Sequence, residues 1–410
     1  MSSIAWLDTS PEEQRKTREM LSLFSQKQSL DELGIGPIRD ALSDTLFPGT
    51  STLHTRARYF LLIPWCYLKA AEGKHHSPEE LHALAQNHER TLAAHLKRDH
   101  PDEDGIIGRR AGHTVRVLPS AMFWRALVRW GILLRDVDPR RLRSTGPVPL
   151  TDGEGPVRRS PSDWHPTLPP RPVDLPWQLP GGLSLTHAEA AWLQERIIAT
   201  TDGTLLATLA QDPDPLDDAS PMPWRDSKVD RHAAGFAELD HARRFSKLIA
   251  GATRLYNVLT ARAYLAAGFN RACESIDGYE QKYRDWLTDL GSPSELFEEW
   301  NLEDFWELVR RANPRVAPRT ERFVRDWARL VAGGQAHLAL DHGSRAAQLI
   351  AYREKSVKRG QARLANEKLL GIWGGESMPA DLSFRWPQVR QVLTDIQQSI
   401  TASDGAHAGA

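Results

Sequence analysis

The chain has 410 residues, a formal net charge of -1, 40% hydrophobic and 26% charged residues, 2 cysteines and 14 tryptophans. That composition excludes a disulfide scaffold and a disordered chain, and no apolar run approaches the ~20 residues needed to span a bilayer. The length suits two or three domains, the near-zero charge makes no case for nucleic acid over the whole chain, and the start lacks the pattern of a signal peptide, so a cytoplasmic protein is expected.

In chain order, Ser10-Pro11-Glu12-Glu13 combines an N-cap hydroxyl, a first-turn proline and acids at the positive end of the dipole, which predicts a helix to about Gln28. Gly36-Pro37 opens a second helix that Pro48-Gly49 closes. Ser51 or Thr52 caps a third, kinked at Pro64, whose Phe60, Leu61, Leu62, Ile63, Trp65 and Cys66 are apolar on every side and mark a central core helix. Ser77-Pro78-Glu79-Glu80 starts a fourth, to about Lys97. Between Gly105 and Val117 short extended pieces are expected, before a helix from Ser120 that Gly131 stops. Its Phe123, Leu127 and Trp130 share a buried face, while Arg125 and Arg129 share an exposed one.

The stretch from Pro139 to Pro180 holds eleven of the 27 prolines and reads as an extended connector. Beyond it Thr186 caps a helix through Trp192 and Ile197, and an acidic, proline-punctuated loop spans Asp212 to Pro223. Apolar residues from Leu239 to Ala263 then keep helical spacing for nearly seven turns. Further helices are expected over 279–290, 294–311, 319–331 and 344–372, and a frayed tail over 401–410. The expectation is a mainly α protein: an N-terminal helical domain over 1–138, a connector over 139–182 and a C-terminal helical domain over 183–400.

Motif-like sets each have a plain structural alternative. His95-x-Lys97 followed by Asp102 has phospholipase-D-type spacing but ends a polar helix. Asp214 with Asp226-x-Lys228 has the pattern of a metal-dependent nuclease, in which carboxylates hold Mg²⁺, yet prolines crowd the segment and favour an irregular loop. His337, Asp341 and His342 lack a third strong ligand, and His75-His76 reads as a loop. Neither a phosphate-cradling Gly-x4-Gly-Lys-Ser/Thr nor a Gly-x-Ser-x-Gly elbow occurs. No catalytic residue, metal or cofactor is therefore assigned.

Charge is uneven: residues 90–171 are net basic and 187–240 net acidic. A helix, a basic extended piece and a second helix resemble a winged-helix-like module, with Arg109, Arg110 and Arg116 on a wing or loop and Arg125 and Arg129 on the helix facing phosphate. Alternatively these arginines face water or pair with the acidic region. A second strip, Arg353, Lys355, Lys358, Arg359 and Arg363, decorates a thinly apolar helix and suits a polyanion or a partner protein. The candidate ligand is DNA or RNA.

The runs 31–40 (DELGIGPIRD), 46–51 (LFPGTS) and 55–60 (TRARYF), with Leu118-Pro119-Ser120, Ala242-Arg243-Arg244-Phe245 and Arg385-Trp386-Pro387, resemble an uncharacterised bacterial family of about this length. The resemblance extends over most of the chain. It implies a gene neighbourhood of helicase-like and nuclease-like genes in mobile or antiphage islands, hence an accessory subunit of a defence system, and it carries over no catalytic residue. The leading expectation is a non-catalytic subunit that binds nucleic acid, a protein partner or both. A protein-only scaffold and a metal-dependent nuclease are the rivals.

Overall fold

The computed structural model describes residues 31–72, 77–142, 162–270, 275–291, 300–377 and 381–407. The helix expected over 10–28, the pair His75-His76, Cys273 and residues 143–161 of the proline-rich stretch lie outside them. Fourteen α-helices and no strand occur among the described residues, so the protein is mainly α. They are α1 (Gly36–Leu46), α2 (Tyr59–Ala70), α3 (Pro78–Asp99), α4 (Pro119–Arg129), α5 (His187–Thr200), α6 (Leu205–Gln211) and α7 (Ser227–His232). There follow α8 (Ala237–Ala266), α9 (Ile276–Leu290), α10 (Leu302–Ala312), α11 (Pro318–Ala332), α12 (Arg345–Lys358), α13 (Glu367–Gly371) and α14 (Trp386–His407). None is long and apolar enough to cross a membrane.

Two compact units emerge, and each is discontinuous in sequence. Unit 1 comprises Met1–Leu42 and Glu238–Phe384; unit 2 comprises Ser43–Ala237 and Arg385–Ala410. This differs from a division at the prolines. The described part of that stretch is built into unit 2: Trp65 Nε1 donates to Pro169 O at 2.8 Å, and Arg58 Nη1 donates to Pro180 O and Gly182 O at 2.8 and 2.7 Å. Backbone carbonyls freed by proline's missing partners are acceptors, and a core tryptophan and a buried arginine use them.

Unit 2 forms around α2, whose all-round apolar surface is buried as its sequence requires. Phe60 stacks on Trp130 at 4.0 Å and meets Phe123 edge-on at 5.0 Å, so α4 is held against α2 by rings. The capping box of Ser77 and Glu80 sets the start of α3, and that of Thr186 and Glu189 sets α5. α14 returns to this unit and packs on α5, and its buried Asp395 accepts from Arg56 Nε at 2.9 Å and Ala57 N at 2.8 Å. Residues 401–407, expected to fray, continue α14. The third expected helix starts at Tyr59, not at Ser51, because 51–58 are turns.

Unit 1 forms around α8. Gly251 sits at its middle because the Trp286 ring lies there: a Cβ at Gly251 would fall 2.2 Å from that ring. Trp286 Nε1 donates to Lys247 O and Trp327 Nε1 to Leu248 O, both at 2.9 Å, so α9 and α11 are pinned to α8 by indole groups. The long helix expected over 344–372 is broken after Lys358. Arg359 takes φ 53, Gly360 follows it, and two 3-10 turns precede the short α13.

Candidate nucleic-acid interface

The segment between α3 and α4 is a chain of turns with a 3-10 helix at Gly112–Thr114. No strand pair forms there, so the expected winged-helix-like hairpin is replaced by turns. Glycines at positive φ, Gly105, Gly108 and Gly112, bend the chain too often for an extended run. Arg109 and Arg110 are exposed and, with Ile106, Gly108 and Ala111, line an open depression of about 640 Å³. Arg109 Nη1 reaches Asp104 Oδ1 at 3.3 Å and its Nη2 donates to Pro101 O. The Arg110 side chain makes no hydrogen bond or ion pair to another described residue, and Arg116 is exposed.

On α4 the apolar spacing puts Phe123, Leu127 and Trp130 inside, and Arg125 and Arg129 outside. Arg129 Nη1 donates to Thr200 O at 2.6 Å; Arg125 has no side-chain partner among the described residues. A carbonyl partner holds a guanidinium in place without cancelling its charge.

The second basic strip is corrected by the structure. Arg353 is only 3% exposed. Its Nε donates to Leu33 O at 2.7 Å, Nη1 to Arg319 O at 3.2 Å, and Nη2 to Thr320 Oγ1 at 2.9 Å and Gly34 O at 3.2 Å. The guanidinium also lies over the Phe323 ring, 5.0 Å from its centroid, and burial lowers its pKa to about 10. Gly34, at φ 62, allows this approach, since a Cβ would sit 2.8 Å from Arg353 Nη2. Lys358 and Arg363 turn to the buried Glu32, at 3.3 and 3.4 Å. Beside them Glu354, fully buried, accepts from Tyr256 OH at 2.7 Å, Arg363 N at 2.6 Å and Leu364 N at 3.2 Å. Of the five residues read as one surface strip, only Lys355 and Arg359 are exposed. Sequence could not show this, because Glu32 and the 33–34 carbonyls lie more than 300 residues away.

The nuclease-like set is likewise tied into structure. Asp226 caps α7 by accepting from Lys228 N at 3.0 Å and Val229 N at 3.4 Å, and it also accepts from Asp217 N at 2.9 Å. Lys228 Nζ donates to Asp212 O and Asp214 O, both at 2.6 Å, with no solvent exposure, and burial lowers its pKa. The Asp214 carboxylate faces solvent and pairs with Arg231 at 2.8 Å. His95 and Lys97 end α3, with Asp102 on the next turn, and His337, Asp341 and His342 are exposed in turns. No group of three or more His, Cys, Asp or Glu among the described residues is placed to hold a metal.

One group escaped the sequence reading altogether. Glu89 on α3 is buried, its Oε2 accepts from Ser120 N at 2.8 Å at the start of α4, and its Oε1 has no partner. Burial pushes its pKa up to about 7 against that hydrogen bond. A lone Glu between Arg90 and His88 on a polar helix carries no sign of this in sequence.

A model of one protein family, described as a family of unknown function (DUF6361), matches residues 1–399. No curated protein and no solved structure matches the chain.

Proposed function

We propose that this chain, which belongs to the DUF6361 family, acts as a non-catalytic binding subunit that contacts nucleic acid through Arg109, Arg110, Arg116, Arg125 and Arg129. What supports the reading is a contrast in how charge is used. The carboxylates and lysine of the nuclease-like pattern serve as a helix cap, a surface ion pair and a clamp on backbone carbonyls. The arginines of 109–129 reach solvent, and two of them line an open depression. Phosphates are met by guanidinium groups arrayed in this way, with affinity that falls as salt rises. The gene neighbourhood implied by the resemblance puts such a subunit beside a helicase-like or nuclease-like partner in bacterial defence.

The test is binding of the purified protein to labelled single-stranded and double-stranded DNA and to RNA across a salt series, beside an Arg125→Glu, Arg129→Glu variant. Weaker binding and a salt slope shallower by about 2 are expected of that variant. An unchanged slope points to a protein-only scaffold. Mg²⁺-dependent cleavage abolished by Asp226→Asn points to a nuclease.

A further inference from the structure

Once Arg353, Lys358 and Arg363 are assigned to the interior, the outer face of α12 takes on a new register. Its exposed residues are Arg345, Gln348, Tyr352 and Lys355, continued past the helix end by Arg359. Their separations of three and four residues place them on one stripe, opposite the buried Ala346, Ile350, Arg353 and Glu354. From Arg345 to Arg359 the stripe is about 21 Å long at 1.5 Å per residue.

Three features of this stripe point to one class of ligand. The sole acid between Ser344 and Asn366 is Glu354, and it is fully buried, so the stripe is purely cationic. The side chains of Arg345, Lys355 and Arg359 make no hydrogen bond or ion pair to another described residue, so their charge is not locally neutralised. Tyr352, in the middle of the stripe, is 73% exposed and its ring and hydroxyl are likewise unpartnered. An aromatic ring flanked on one face by cations is the arrangement that stacks an unpaired base while neighbouring phosphates are neutralised; a duplex, with its bases already stacked, offers no face to the ring. Arg359 adds a fourth observation. It is held at φ 53 and ψ -119, where an arginine is strained, although Gly360 next in the chain would take such a conformation freely.

We infer that the outer face of α12 is a binding surface for single-stranded nucleic acid, with Tyr352 as the base-stacking residue and Arg345, Lys355 and Arg359 as phosphate contacts. Gln348 lies on the same stripe, its amide donating to Gly343 O. The inference rests on the reading of this protein as a nucleic-acid binder but uses a different surface, in unit 1.

The experiment uses the full chain with labelled oligothymidylate and a duplex of equal length. Tyr352→Ala is expected to weaken single-strand binding at least about five-fold and to leave duplex binding unchanged, while Tyr352→Phe keeps it. Lys355→Glu with Arg359→Glu is expected to flatten the salt dependence. Arg359→Gly should raise the melting temperature and weaken binding together, the mark of strain kept for a ligand. Photo-crosslinking with an iodouracil-substituted strand should label the peptide that carries Tyr352. Single-strand binding unaffected by Tyr352→Ala, or a crosslink confined to other peptides, overturns the inference. If only Arg125→Glu with Arg129→Glu abolishes binding, this surface falls and the proposed function stands. If no oligonucleotide binds at low salt, both fall. Binding of polyglutamate that needs Lys355 and Arg359 but not Tyr352 would reassign the stripe to an acidic protein partner.

Discussion

The two units handle buried charge in opposite ways. In unit 1, Arg353, Glu354, Glu32, Lys358 and Arg363 form a set in which each charge meets either an opposite charge or several backbone groups. In unit 2, Glu89 is as deeply buried but has one hydrogen bond to Ser120 N and an oxygen with nothing to bind. Burial raises the pKa of both Glu32 and Glu89. At Glu32, two cations oppose that rise directly; at Glu89, the opposing groups are Ser120 and the more remote charge of Arg90. The difference teaches that partner supply, not depth, decides whether a buried charge rigidifies a fold or makes it respond to pH.

The largest effect is expected from emptying the unit 1 set. Arg353→Met would leave three carbonyls and the Thr320 hydroxyl without their donor, for a loss of about 3–5 kcal/mol in urea denaturation. A loss below about 1 kcal/mol would show that water reaches these carbonyls and that the two units are less different than described.

Next comes Glu89. Its carboxyl is free to ionise in the unfolded chain near the model value of 4.5 but only near 7 in the fold. The protonated form is therefore favoured by folding: its contribution is complete below pH 4.5 and is lost as pH rises through 7. Over that window wild type should lose about 3 kcal/mol that Glu89→Gln does not lose, read as the difference between their stability–pH curves. Parallel curves would mean that Glu89 finds a partner for its second oxygen.

Gly251→Ala tests packing without charge. The new methyl meets the Trp286 ring, and overpacking of this kind should cost about 1–3 kcal/mol, with hydrogen exchange in α8 and α9 the most sensitive readout. The smallest effect closes the series. Arg125→Glu with Arg129→Glu should move stability by no more than about 0.5 kcal/mol, since both side chains face solvent, so any loss of binding would be a loss of contact.

Much of the helical layout was legible because its determinants are close together in the chain. Ser77 and Glu80, or Thr186 and Glu189, are three residues apart and cap their helices reciprocally. The apolar period from Leu239 to Ala263 appears as a helix from Ala237 to Ala266 for the same reason. The candidate sites were half legible. Arg125 and Arg129 were placed outside by the spacing of Phe123, Leu127 and Trp130, which needs only helical geometry. Arg353, Lys358 and Arg363 were misplaced because a cation on a thinly apolar helix looks the same whether it faces water or a distant carboxylate.

Local chemistry by itself therefore determined that this protein is mainly α, where most of its helices start and stop, and which face of α4 is buried. Caps, prolines, glycines and helical periodicity act within a few residues, over distances the chain cannot alter by folding. Only the tertiary structure decided that the chain forms two interleaved units, that Asp226 and Lys228 organise a loop, and that α12 hides three of its cations and shows a tyrosine between the others. Those outcomes depend on which groups, up to 331 residues apart, the fold brings within hydrogen-bond reach, and a buried charge must find such a partner or remain in water.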